Sequence, residues 1–198
     1  MASRAQDAAV PGVTLNLIEW LVSERCCDLD DAGLIAELGT RLNALGLPVD
    51  RLTLHLRTLH PEIFGRTIAW APDEPVEIRD RSYGVLTAKI FVGSPLWKVM
   101  ETRQRAVIRA GGKTPQPWLE IDVFRNRRLA EFVMVPLVGA SGPASAICFA
   151  TRSERGFSAN NLAVMHRIAP ALRSLCELRT LRQTDLALLD TLYGAAAE

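Results

Sequence analysis

Nowhere in the 198 residues do 18 apolar residues follow one another, so no segment reads as a membrane-spanning helix. Charge of one sign is missing too: 23 Lys and Arg stand against 22 Asp and Glu, a net charge of +1. Without a field of one sign, the chain has no general hold on a nucleic acid backbone or an anionic membrane. Cysteine is scarce and wrongly spaced for a zinc knuckle. Cys26, Cys27, Cys148 and Cys176 include no C-x-x-C pair, and the chain is too long to need a disulfide scaffold. All four read as reduced thiols, mostly buried. The small, polar stretch 1–12 lacks the apolar core of a signal peptide, and a cytoplasmic location is expected.

Catalytic signatures are equally absent. No G-x-S-x-G elbow occurs, and Cys148 lies in an apolar strand-like run where a thiol's pKa rises. Gly111-Gly112-Lys113-Thr114 lacks the upstream glycine of a phosphate loop and reads as a turn. The acids Asp73-Glu74 and Glu120-Asp122 and the bases Arg125, Arg127 and Arg128 read as solvated charges at loops and helix ends. No catalytic residue and no metal site is expected.

What is present is ordinary globular material, 48% apolar and 23% charged. One domain of this size buries roughly 70% of its unfolded surface. Residues 1–13 read as a disordered leader. Leu17, Ile18 and Leu21 recur at helical spacing, and a second helix carries Leu34, Ile35, Leu38, Leu42 and Leu45 behind a cap at Asp30 or Asp31. Gly46 and Pro48 stop it. From Arg51 to Arg57, leucines alternate with Thr53, His55 and Arg57, the pattern of a half-buried strand. Thr67–Ala71 reads as its partner, after a turn around His60-Pro61 and Gly65. The span from Asp80 to Gly112 is poorly patterned, except that Ser94-Pro95 opens a short helix and 104–109 reads as a strand. A helix is expected over Trp118–Arg127. The clearest hairpin joins Phe132–Val138 to Ala144–Ala150 through Gly139-Ala140-Ser141-Gly142-Pro143. Ser158 then caps a helix running almost to the end, interrupted at Pro170.

Strands in adjacent pairs between helices predict an α+β domain with an antiparallel sheet. The division expected is a leader (1–13), one domain with its N-terminal helices (14–157) and a C-terminal helix or coiled-coil linker (158–198).

Four phrases carry a resemblance: Leu56-Arg57-Thr58-Leu59-His60-Pro61-Glu62; Ser94-Pro95-Leu96; Phe149-Ala150-Thr151 with Gly156-Phe157-Ser158; and Leu188-Leu189-Asp190-Thr191-Leu192-Tyr193-Gly194. In this order, over residues 34–194, the chain resembles the GAF-like regulatory region that precedes the catalytic domain of bacterial class III adenylate and guanylate cyclases. It departs from that pattern in placing Leu192 before Tyr193, and it ends at Glu198 without a cyclase domain. The resemblance implies a GAF-like antiparallel sheet flanked by helices, a long C-terminal signalling helix and a role in cyclic-nucleotide signalling. A cyclase effector domain is an implied partner, and an N-terminal fragment of an adenylate cyclase is an alternative.

GAF-like domains hold small ligands between the sheet and the segment covering it. By that resemblance Arg57, His60, Trp70, Tyr83, Phe91, Trp97 and Trp118 are the candidate lining residues. Aromatics with few polar groups suit a small, partly planar ligand. The competing reading has them simply filling a core, which makes the chain a ligand-free structural dimerisation domain. A haem or redox sensor using His60 or a cysteine is a more distant alternative, with no covalent haem motif to support it. The cofactor, if any, stays unspecified. Leu178, Leu181, Leu188 and Leu192, with Asp185 among them, follow a 3-4-3-4 spacing, the narrow seam of a two-stranded coiled coil. A homodimer is expected, with Asp185 weakening the seam by facing its own copy.

Overall fold

The computed structural model describes residues 12, 14–58, 63–89, 91–109, 121–139 and 145–195, the last helix beyond residue 182 by its backbone alone. Six strands form one antiparallel sheet: β1 (Arg51–Arg57), β2 (Ile63–Trp70), β3 (Glu77–Ser82), β4 (Ala106–Arg109), β5 (Glu131–Leu137) and β6 (Ser145–Thr151). Their order is β3-β2-β1-β6-β5-β4, which puts β1 and β6 at the centre. The helices are α1 (14–21), α2 (Glu24–Cys27), α3 (Asp31–Ala44), α4 (Pro95–Thr102), α5 (Ile121–Asn126) and α6 (Ala159–Ala195).

Leu52, Leu54 and Leu56 of β1 point to one face, with Ile68 and Trp70 of β2 and Ile147 and Phe149 of β6. α1, α3 and α6 cover that face through Leu17, Leu34, Leu38, Ile168 and Leu172, all buried. The opposite face has a smaller core, in which Val99 of α4 and Phe124 of α5 meet Phe132, Met134, Ala146 and Cys148. α4 and α5 thus cover the β5–β6 half of that face.

Local chemistry sets the boundaries. Asp30 caps α3 by accepting from the Gly33 N–H at 2.7 Å, and left-handed Gly46 ends it with Leu47 N–H bonded back to the Leu42 carbonyl. Ser94 caps α4 ahead of Pro95, as its sequence signal implies. Ser158 and Asn161 bond reciprocally, closing the first turn of α6.

Three expectations need correction. β1 is buried on both faces rather than half-buried, because it lies between two strands and under two layers of cover. β3 occupies a stretch read as loop running into poorly patterned chain. It is an edge strand of mostly charged residues, with no apolar alternation to reveal it, and Arg66 bonds Asp80 across the ladder. Pro170 does not interrupt α6, because it sits on the exposed side, where the His166 carbonyl that loses its donor faces solvent. Of the helix expected over Trp118–Arg127, the described part is α5, Ile121–Asn126, and Trp118 lies outside the described residues.

One clip joins the sheet to α6. Glu131, buried at the start of β5, accepts from the Phe157 N–H at 2.8 Å and from Arg109 Nε at 2.7 Å. Gly156 makes this possible: its φ is +69°, and a Cβ there would lie 2.5 Å from Glu131 Oε1. Gly156→Ala should therefore lower the unfolding free energy by about 2 kcal/mol, through left-handed strain and a displaced buried carboxylate. Urea denaturation of the two proteins measures the difference. A shift below about 0.5 kcal/mol would mean the clip does not hold the helix start.

Candidate ligand-binding face

The polar side of β1 carries Arg51, Thr53, His55 and Arg57, alternating with the leucines. Across the ladder, Thr53 lies opposite Ala69 and Cys148, His55 opposite Thr67 and Ala146, and Arg57 opposite Gly65. Small partners on both sides keep the sheet surface low around His55. His55 is 6% exposed, with Nδ1 3.3 Å from Thr67 Oγ1.

Arg57 ends the strand. Its guanidinium carbon stands 3.5 Å from the centroid of the Phe64 ring, a cation–π contact. Tyr83 and Phe91 meet the same ring edge-on, at 5.8 and 6.2 Å between centroids. Tyr83 opens a 3₁₀ turn (Tyr83–Thr87) that brings this cover over the β2 edge. A bulge between Ile63 and Gly65 accompanies the close approach of β2 to β1. Only glycine fits there, since a Cβ on Gly65 would sit 2.6 Å from the Leu56 carbonyl oxygen.

The Arg57 backbone is fixed from two directions. Its N–H donates to Ser145 Oγ at 3.1 Å, and its carbonyl accepts from Thr180 Oγ1 of α6 at 3.3 Å. Among the described residues no carboxylate pairs with the guanidinium, and burial holds its pKa below the ordinary arginine value. The guanidinium is part-buried, and losing even some of its water is unfavourable for a cation with no carboxylate partner among the described residues.

Of the seven candidate lining residues, the structure brings together Arg57, Tyr83 and Phe91, with Phe64 as the unforeseen centre. Tyr83 is 42% exposed, so the cluster opens to solvent on its side. Trp97 is half-buried on α4. Trp70 belongs to the other face: it is buried in the core under the helices, where the ring packs so tightly on α3 that a Cβ on Gly39 would lie 2.3 Å from it. Strand parity, which places Trp70 beside Ile68 and opposite Leu52, decides this. His60 and Trp118 lie outside the described residues, as does the 111–114 turn. Phe64 escaped notice because the stretch around Gly65 read as a turn rather than a bulged strand.

The cysteines offer little chemistry. Cys26, Cys148 and Cys176 are buried, and burial pushes the Cys26 thiol up to about 11 and the Cys176 thiol up to about 12. Among the described residues no three His, Cys, Asp or Glu side chains are grouped to hold a metal ion, and no helix is long and apolar enough to cross a membrane.

No family model matches the chain, and no curated protein does. Solved structures do. The GAF domain of a two-component sensor histidine kinase from Bacillus halodurans superposes with a TM-score of 0.55 at 16% identity, over 73% of this chain and 91% of that one. The GAF domain of a phosphoenolpyruvate-protein phosphotransferase from Coxiella burnetii gives 0.59 at 11% identity, over 86% and 96%. A phycocyanobilin-bound GAF domain from a cyanobacterial phytochrome gives 0.55 at 11%, over 87% and 96%. With its antiparallel sheet covered by helices on both faces, the chain has the GAF fold.

Proposed function

We propose that this chain is a non-catalytic sensory and regulatory domain that binds a small anionic, partly planar ligand over Arg57 and passes the event to α6. The observation that carries the reading is Arg57 itself. Its charged end is partly desolvated on an aromatic ring and lacks a carboxylate partner among the described residues, while its carbonyl is bonded to Thr180. One residue therefore touches both the ligand face and the output helix. Similarity to a bilin-bound GAF domain supports a ligand on this fold. A ligand that favours one setting of Arg57 shifts the population of α6 positions by its differential affinity for them. Residues 14–157 would be the sensing unit and 158–198 the linker. The cyclase-like phrases support cyclic-nucleotide signalling as the context, with a cyclase domain as the effector.

One feature favours the ligand-free alternative: Phe64, Tyr83 and Phe91 already satisfy one another edge to face. Thermal shifts with a panel of planar anions, cyclic AMP and cyclic GMP included, separate the two readings. Arg57→Met keeps the apolar stem and removes the charge, so the fold should keep its stability to within about 1 kcal/mol while the shifts disappear. In the wild type a stabilising compound should also slow amide exchange in 171–182, and Thr180→Val should abolish that slowing without abolishing binding. Equal shifts in wild type and Arg57→Met would remove Arg57 from the site. No shift from any anion would favour the structural reading.

The second half of the proposal is a homodimer through α6. Leu178 and Leu181 are 50% and 55% exposed, an apolar pair facing away from the domain's own core. They begin the heptad-like spacing that continues through Asp185, Leu188 and Leu192, whose side chains lie outside the described residues. In sedimentation, the wild type should dimerise at roughly tens of micromolar, the affinity expected of about two heptads. Asp185→Leu should tighten the dimer by removing two facing carboxylates, and Leu178→Glu with Leu181→Glu should give a monomer. A wild type and Asp185→Leu variant that are both monomeric would exclude this seam.

A further inference from the structure

At the other end of β1 the same sheet face opens into a groove of about 630 Å³, between the β2–β3 turn and the C-terminal end of α5. Five guanidinium groups line it, those of Arg51, Arg79, Arg127, Arg128 and Arg152, against the two carboxylates of Glu74 and Glu77. In a chain of net charge +1 this is a local concentration of positive charge. Cations at a helix C-terminus are ordinary, and that alone would account for Arg127 and Arg128. It does not account for Arg51, Arg79 and Arg152, which reach the same space from β1, β3 and the end of β6.

Asp50 adds a third carboxylate beside the groove, 3.7 Å from the Arg152 guanidinium. Glu77 Oε2 receives Arg79 at 3.0 Å and lies 3.9 Å from Arg51. Glu74 is engaged by Arg127 through two bonds of 2.6 Å, spanning the groove from α5 to the β2–β3 turn. Arg152 Nε donates to the Arg127 carbonyl at 3.1 Å, which fixes that end of the wall. Arg128, exposed and left-handed at φ 53°, makes no ion pair among the described residues. Arg51 is 6% exposed, so one guanidinium forms a floor with little water while Arg79 and Arg128 stand at the rim.

We propose that this groove binds a small molecule carrying two or more adjacent anionic groups, phosphates or carboxylates, at a place distinct from the Arg57 cluster. Planar guanidinium forks match such groups bidentately, and the volume lies within the range of small-ligand sites. Glu74 is the built-in competitor: its carboxylate occupies the Arg127 fork that an incoming anion would take, and its pKa is held below the ordinary value chiefly by that hydrogen bond.

Isothermal titration with inorganic diphosphate in one arm and citrate in the other tests this on the whole chain. Sub-millimolar binding that weakens with salt is expected in at least one arm, and the arm that binds identifies phosphate or carboxylate as the preferred chemistry. Glu74→Gln should tighten it roughly three- to fivefold, the scale of one exposed ion pair. Arg79→Gln with Arg128→Gln, both exposed and safe for folding, should weaken it at least tenfold, whereas Arg25→Gln, away from the groove on α2, should leave it unchanged. Any of four results overturns the proposal: no binding of either anion at millimolar concentration, unchanged binding in the double arginine variant, weaker binding in Glu74→Gln, or a loss in Arg25→Gln equal to that in the double variant.

Discussion

A strand buried on both faces must place whatever its alternation supplies into both cores, and β1 supplies leucines to one and Arg51, Thr53, His55 and Arg57 to the other. Burying a polar group without a partner costs roughly 2 kcal/mol, so the second face needs a polar environment. The structure answers with Thr67 beside His55, small residues along β6, and, among the described residues, aromatic cover at the Arg57 end. The two halves of that face differ for this reason. α4 and α5 close the β5–β6 half with apolar contacts, and the β1–β2 half is roofed by Phe64, Tyr83 and Phe91 and left open at its rims.

The helix side is held by a different device. Arg179 of α6 donates to Asp31 and to the carbonyls of Cys26 and Leu29, and the latter two are acceptors at the end of α2 that the helix itself does not use. Asp31 also meets Arg66 at 3.5 Å, and Arg66 bonds Asp80. A continuous chain of charge thus runs from α6 through α3 to β2 and the edge strand β3. Arg179 and Asp31 are both nearly buried, so their pairing fixes geometry more than it adds net stability. Thr180 follows Arg179 directly and bonds the Arg57 carbonyl. Two consecutive residues of α6 therefore register the helix layer and the sheet.

Where sequence alone sufficed, the signal was local. Asp30, Ser94-Pro95 and Ser158 cap helices because their side chains bond neighbours three residues on, and the β5–β6 hairpin was plain from two apolar runs around a glycine-proline turn. Of the candidate lining residues, Arg57, Tyr83 and Phe91 meet around Phe64; the cyclase-like phrases and the aromatic content of the middle segment point to them. What escaped depends on distance in sequence. Trp70 looks like any lining aromatic until register puts it beside Ile68, and Phe64 sits in a bulge that no periodicity marks. β3 is stabilised by its ladder and by Arg66, so a run of charges gives no warning of it. The arginine groove gathers residues far apart in sequence, from β1, the β2–β3 turn, β3, the end of α5 and the end of β6, and no single one of these segments marks it.

Arg51 and Arg57 begin and end the polar face of one strand, roughly 20 Å apart at 3.3 Å per residue. At the Arg57 end the link to α6 is the Thr180 bond, partway along the helix. At the Arg51 end it is the start of the helix. Asp50, the residue before Arg51, bonds the Arg152 N–H at 2.7 Å, and the chain then passes through Gly156 and the Glu131 clip into Ser158. α6 is thus attached to the two ends of β1 at two points along its own length, and an opposite displacement of those ends would tilt it, whereas a common one would translate it. Interior packing is too dense for β1 to stretch, so a change at either end is carried along the strand rather than absorbed. On this geometry the two proposed ligands, an anion in the groove and a ligand over Arg57, would act on the same helix through one strand, and their binding free energies would then be coupled with the same factor in both directions.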